Sequence, residues 1–566
     1  MENVQGRCVV GKFTGILASF LVFLSSYSAH INASETQQTL VLIGGALTTC
    51  SSMSSQNCEN KTQLEGKKSN RYHLTDDALN KIKSQWVNNN IDNRNKVLQL
   101  LATVAVQHPS QIDKSTLLWT WRDLDNGLLN KLTDQEYNFV IDTLEVPVTD
   151  ANNKRIKEAV NTKMNTVHAA NDILDFVSAT AKVNVKKPTL LAITASSRDP
   201  YESADFYEGL LSFDGVETHW LALTPALAHA IMVGRCEDLG RIREQSMQLF
   251  NRQQIYPDRT DAEQALCEQG VDNLVKTINS ATGIMLNGGD QSLTRKVLYD
   301  ESGKAYPWTQ AIRTRSLLVG TSAGTAIQSG GKNQAGNVAM ITNGTSLSAL
   351  REGAHAVSAP SERCSDKCSE GLTADSLTYQ ANGGLASFDM GILDTHFSER
   401  DRTARLATLL KATKQQHGFG IDETTALVVI NSAKTQLMTV IGKNGVVYLH
   451  NVPNEATFRY SYWPAGAVID ITATGFKLNQ RTLDNVLPAI KMPPLPMQRF
   501  SNILTDAKLR SLTQAMCLSQ DKTAVGQQDE FLVTLNASES TQYYRLNPTS
   551  NGCAVAQLNV SITTIP

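Results

Sequence analysis

The run Leu317-Leu318-Val319-Gly320-Thr321-Ser322-Ala323-Gly324-Thr325-Ala326 constrains the fold of this chain more than any other stretch. An apolar, strand-like segment breaks at Gly320-Thr321-Ser322-Ala323-Gly324 and resumes as small, helix-compatible residues. That pattern puts a serine on a sharp strand-to-helix turn, which needs residues without bulk on both sides of it. The N–H groups opening the next helix then point at whatever the hydroxyl faces. A G-x-S-x-G run by itself equally fits a packing turn of small residues. A catalytic reading therefore needs a base and an orienting acid from elsewhere in the chain.

The surrounding pattern predicts an α/β fold. Short apolar strands at Thr39–Ile43, Thr189–Thr194, Thr218–Leu223 and Gly283–Leu286 alternate with helical stretches at Tyr201–Leu211, Val271–Asn279 and Ser292–Tyr299. Such alternation implies a mostly parallel sheet flanked by helices, with working residues at the carboxyl ends of its strands. The polar, Asn- and Lys-rich stretch 50–186 reads as a helical insertion, with helices expected over 76–88, 93–106, 134–144 and 153–181. The core domain is then 34–49 joined to 187–480. Antiparallel strands are expected at Ala426–Ile430, Gln436–Ile441 and Val446–Leu449, and 481–566, with the adjacent Pro493 and Pro494, reads as a small C-terminal β extension.

Net charge of −2 over 566 residues gives no sign of a nucleic-acid partner, and no basic groove interleaved with aromatics is present. Arg7 and Lys12 precede the apolar run Phe13–Leu24, with Ser25, Ser26, Ser28 and Ala29 after it. This is the layout of a signal peptide over about 1–33, too short in its apolar part to span a bilayer. The mature chain is expected to be secreted or periplasmic, with no membrane contact after removal of the signal. Of nine cysteines, Cys8 lies in that leader. The rest fall as neighbours: Cys50 with Cys58, Cys236 with Cys267, Cys364 with Cys368, and Cys517 with Cys553. Disulfides between neighbours are the simplest reading in an exported chain. Zinc at Cys364 and Cys368 would need histidines at ligand spacing, and none is close enough, so no metal site is read.

Candidate bases downstream of Ser322 are His355, His396, His417 and His450. His396 stands out because it ends the apolar run Met390–Leu393 and opens Phe397-Ser398-Glu399-Arg400-Asp401-Arg402-Thr403-Ala404-Arg405. Three arginines at the front of an expected helix (401–414) can fork onto carboxylates. Glu423, between a glycine-rich turn and a strand, can orient an imidazole, and Asp394 and Asp422 compete with it by position.

Together these loops resemble the cyanophycinase family of serine peptidases, which includes the aspartyl dipeptidase E group. The resembling segments are Ile43-Gly44-Gly45-Ala46, Asn287-Gly288-Gly289-Asp290-Gln291, Gly320–Gly324, the His396 run and Gly420-Ile421-Asp422-Glu423. The order Ser…His…Glu separates them from α/β-hydrolases. The resemblance implies a flavodoxin-like, class I amidotransferase-like fold and amide hydrolysis through an acyl-serine, without a cofactor. It implies Ser322 as nucleophile, His396 as base and Glu423 as orienting acid, with Gly289 and Ala323 N–H groups as oxyanion hole. Gln291, Arg295, Asp394, Arg400, Arg402 and Arg405 are implied to meet the substrate. That substrate is an acidic polymer or peptide, typically cyanophycin (multi-L-arginyl-poly-L-aspartate) released as β-Asp-Arg, and family members are often homodimers. Thr395 stands where the family usually has Gln, and Arg295 where a lysine is common. Two other readings stay open: an exported aspartyl or isoaspartyl dipeptidase, and a catalytically idle module that binds acidic peptides.

Overall fold

In a computed structural model the described residues are 37–364, 368, 371–432, 436–473, 475–489, 500–546 and 552–565. The expected signal segment and Pro493-Pro494 lie outside them. The centre of the fold is a nine-stranded sheet whose first five strands run parallel in the order Gln38–Ile43, Leu317–Thr321, Gly283–Leu286, Thr189–Ile193 and Glu217–Trp220. The apolar runs of the first four are continuous rather than alternating because both faces are buried, while Glu217–Trp220 at the edge is largely exposed. Leu40 and Leu42 join one core cluster with Leu191, Leu286 and Leu318, while Val41 and Ile43 join another with Leu190, Met285 and Val319. Truncating any of these leucines to alanine would cost about 2–5 kcal/mol.

The sheet is mixed, which corrects the expectation of a mostly parallel one. On the other side of Gln38–Ile43 lie four antiparallel strands, Thr425–Asn431, Gln436–Gly442, Val468–Thr472 and Gly475–Leu478. The short links from Thr425–Asn431 to Gln436–Gly442 and from Val468–Thr472 to Gly475–Leu478 leave no room for the crossover that parallel pairing requires. A second sheet packs against the first. It runs Ile392–Thr395, His417–Ile421, Gly445–Asn451, Phe458–Pro464, Cys553–Thr564, Phe531–Asn536, Thr523–Gln528 and Phe500–Ser501, with Gln542–Arg545 beside Cys553–Thr564. Leu393, Phe419, Ile421, Tyr448 and Trp463 of this second sheet share the core cluster of Leu40 and Leu318.

The C-terminal segment is therefore no appended module: its long strand Cys553–Thr564 pairs directly with Phe458–Pro464. The 50–186 stretch divides by packing. Helices Asp76–Ser84, Ile91–Gln107, Lys114–Lys131 and Asp134–Leu144 share a core of their own around Trp121, Leu101 and Phe139. Helix His168–Lys182 instead lays Ile173, Leu174 and Val177 on the first sheet. Buried Asp142 links the helical subdomain to the sheet-bearing part, accepting from Arg198 at 2.7 and 3.0 Å and from the Phe250 N–H at 3.0 Å. Disulfides join Cys50–Cys58, Cys236–Cys267, Cys364–Cys368 and Cys517–Cys553. Among the described residues no helix is long and apolar enough to cross a membrane.

Candidate active site

Strand Leu317–Thr321 ends at Ser322, and the short helix Ala323–Ala326 begins immediately after it. Ser322 has φ 52° and ψ −114°, a conformation that a non-glycine residue holds only when its surroundings fix it. Those surroundings are visible. The Ser322 N–H donates to Ile43 O at 2.9 Å, and the Thr325 hydroxyl shares its one proton between Ile43 O at 2.7 Å and Gly320 O at 2.8 Å. Glycine is required on both sides. A Cβ on Gly320 would sit 2.1 Å from Gly324 O, and one on Gly324 would sit 2.0 Å from Leu286 O.

His396 arrives from the other sheet, one residue past strand Ile392–Thr395. It also has positive φ, 47°, and its N–H donates to Gly44 O at 2.7 Å. The imidazole lies flat against Gly45, where a Cβ would be 2.2 Å from Cε1. This explains the second glycine of the Gly44-Gly45 pair. Glu423 follows strand His417–Ile421 of the second sheet and precedes Thr425–Asn431 of the first. The three side chains thus meet where the two sheets abut. Ser322 Oγ is 2.7 Å from His396 Nε2, and His396 Nδ1 is 2.6 Å from Glu423 Oε1. A carboxylate only accepts, so Nδ1 carries the proton and Nε2 is left to accept from the serine hydroxyl. Burial holds the imidazole pKa below its ordinary 6.5, and the charges of Arg400 and Arg402 push the same way against Glu423.

A cleft of about 340 Å³ opens over this line, bounded by Gly288, Gly289 and Thr321, by Ala46 and Leu47, and by Phe206, Tyr207 and Leu210 of helix Pro200–Leu210. Gly289 has φ 138°, and a Cβ there would lie 2.2 Å from Ser196 O. Among the described residues no protein acceptor takes the Gly289 or Ala323 N–H. Tyr207 Oη accepts the Gly288 N–H at 3.0 Å, and burial pushes its phenol up to about 12.

Of the polar residues expected to meet a substrate, only Arg400 lines the cleft, and it is exposed. Arg405 and Asp394 are buried and bind each other, Nε to Oδ2 at 2.9 Å and Nη2 to Oδ1 at 2.5 Å. Arg402 donates to Thr395 O at 2.7 Å and stands 3.5 Å from Asp394. Gln291 donates to Ile341 O at 2.7 Å and Thr342 O at 3.1 Å. Arg295 donates to Gly383 O at 3.2 Å and lies over the Tyr299 ring. These five hold the loops around the site rather than its open face, because each finds a partner inside the protein. Phe206, Tyr207 and Leu47 were not singled out in the sequence. The available signal was position: their segments follow parallel strands at the carboxyl edge.

No protein-family model matches this chain. Over 175 residues, 30% of its length, the chain is 30% identical to the cyanophycinase of Synechococcus elongatus, and equally to that of Thermosynechococcus vestitus. The match spans 40% of the length of these curated relatives. It is a distant, partial-length homology to cyanophycinases. The crystal structure of a peptidase from an acI-B1 Actinobacterium aligns with 53% of this chain and 91% of its own, at 17% identity and a TM-score of 0.30.

Proposed function

We propose that this chain is a serine hydrolase that cleaves amide bonds in aspartate-containing peptides or polymers, with cyanophycin as the first substrate to try. The observation that carries this reading is the unbroken line from Ser322 Oγ through the imidazole of His396 to Glu423 at the floor of a cleft. Partial homology to cyanophycinases supports the substrate class.

In the reaction, His396 Nε2 takes the serine proton as Oγ attacks the amide carbonyl, and Glu423 stabilises the imidazolium that forms. The Gly289 and Ala323 N–H groups receive the oxyanion. The imidazolium then protonates the departing amine, leaving an acyl-serine. Water, deprotonated by the same nitrogen, hydrolyses that ester. Arg400 meets a carboxylate of the substrate with its two-pronged donor set. A flavodoxin-like core with class I amidotransferase-like topology is part of the same proposal, as are export of the chain and pairing into a homodimer. The presence of one arginine in the cleft, where a cluster of three was expected, favours short substrates as a second reading, an aspartyl or isoaspartyl dipeptidase.

Incubating the purified protein with cyanophycin and a panel of α- and β-aspartyl dipeptides, with Ser322→Ala as control, tests both. Release of β-Asp-Arg by the wild type alone is the expected result. Cleavage of dipeptides with the polymer untouched selects the second reading, and no cleavage by either protein refutes the hydrolase.

A further inference from the structure

The residues that hold His396 and Glu423 in place converge on a cation supplied by the C-terminal segment. Glu399 and Asp422 cross-link the two loops reciprocally. Glu399, on the histidine loop, accepts the Glu423 N–H through Oε2 at 3.0 Å. Asp422, on the glutamate loop, accepts the Ser398 N–H through Oδ1 at 3.0 Å. Their remaining oxygens face one group: Arg510 Nη1 lies 2.6 Å from Glu399 Oε1 and 2.7 Å from Asp422 Oδ2. Asn444 adds a brace, donating to Glu399 Oε1 at 3.1 Å and Glu423 O at 3.2 Å.

Arg510 sits on helix Lys508–Ser519, whose Leu509, Leu512 and Met516 are buried with the second sheet. Two further ties fix that helix. Asp401, on the histidine loop, accepts the Ala507 N–H at 2.8 Å, and Cys517 at the far end is bonded to Cys553. We propose that Arg510 is a positioning residue for the proposed hydrolysis, and that the C-terminal segment completes the active site by giving Glu399 and Asp422, the acceptors that cross-link the two loops, their shared donor.

The physics is that of two like charges, one of them fully buried, that share one counter-ion. Asp422 is fully buried, and burial together with Glu399 pushes its carboxyl up to about 6, with Arg510 opposing. Without the guanidinium, Glu399 Oε1 and Asp422 Oδ2 would lose their shared donor, and two like charges left side by side would push apart the carboxylates that hold the loops. The loop cross-link then loosens. A displacement of about 1 Å at the catalytic groups costs on the order of 10²-fold in rate.

This inference rests on the serine hydrolase reading, so its test needs one readout that does not require turnover. In full-length protein, Arg510→Met should lower kcat by about 10–100-fold with KM within roughly twofold. Arg510→Lys should restore most of that loss, because a single nitrogen, Nη1, makes both contacts. In a Glu423→Gln background, Arg510→Met should cost less than about threefold more, since the group it positions has already lost its charge. The independent readout is the downfield proton resonance of His396 Nδ1–H, assigned by its loss in His396→Ala; Arg510→Met should shift or erase it. Equal losses in both backgrounds overturn the inference, and so does an unmoved resonance, which is read even if no substrate is turned over. Should Arg510→Met fail to fold, Glu399→Gln read by the same cycle and resonance decides. Wild-type protein that shows the resonance but acylates with no ester refutes the hydrolase reading alone.

Discussion

Replacing Glu423 by glutamine keeps the shape of the side chain and its ability to accept from His396 Nδ1, while removing the charge. The contact is 2.6 Å and the Glu423 side chain is 30% exposed. With charge centres about 4 Å apart and an effective dielectric of about 20, the attraction for an imidazolium is about 4 kcal/mol. Partial exposure screens it, leaving roughly 3 kcal/mol, or about 10²-fold in the rate of forming the charged intermediate. The assay is kcat/KM on an activated ester at pH 8, where the imidazole is neutral in both proteins, with circular dichroism to match folded fractions. A Glu423→Gln protein within about threefold of wild type would refute the reasoning, because the carboxylate would then be doing nothing for the imidazolium.

The acid limb of the kcat/KM profile should fall below pH 6.5, the ordinary imidazole value, since burial, Arg400 and Arg402 all disfavour the imidazolium. Glu423→Gln should move the limb lower still and Arg400→Ala should move it up, because the removed charges have opposite signs; the reverse order contradicts the geometry. Gly45→Ala should lower kcat by about 10²-fold or more, since its Cβ would lie 2.2 Å from His396 Cε1. Retained activity in that variant would mean the ring sits elsewhere. Removing the Cys236–Cys267 bridge by a double alanine substitution should cost roughly 3–4 kcal/mol from the loop it closes, given a sequence separation of 31. A urea midpoint equal to the wild type would rule that out.

The parallel half of the first sheet could be read from the chain because its strands are short apolar runs stopped by glycine-rich turns, the Leu317–Gly324 segment being the clearest. In the antiparallel half, Thr425–Asn431 and Gln436–Gly442 match the strands expected at Ala426–Ile430 and Gln436–Ile441, whereas Val468–Thr472, Gly475–Leu478 and the pairing of the second sheet could not be read. A run such as Phe458–Pro464 alternates no more cleanly than a helix segment, and nothing local says that its partner is Cys553–Thr564, about a hundred residues on. Helix Lys114–Lys131 was missed because its apolar positions are diluted by polar ones, and the expected helix over 153–181 begins only at His168. Motif order singled out Ser322, His396 and Glu423, and the structure brings them together. The arginine cluster misled because Arg402 and Arg405 both turn to Asp394, which leaves Arg400 as the one of the three that lines the cleft. Asp394, already present in the motif, takes Arg405 for itself. Arg510 left no trace at all in the sequence, because a lone arginine in a distant segment carries no signal until tertiary structure sets it between two carboxylates.

Intact-protein mass spectrometry after exposure to a fluorophosphonate, which phosphonylates only an activated serine, gauges the reactive line itself without knowledge of the substrate. One adduct per chain, mapped by digestion to Ser322 and lost in both Ser322→Ala and His396→Ala, is the predicted result. An unlabelled wild type, or an adduct that persists when Ser322 is gone, would contradict a nucleophile at that turn.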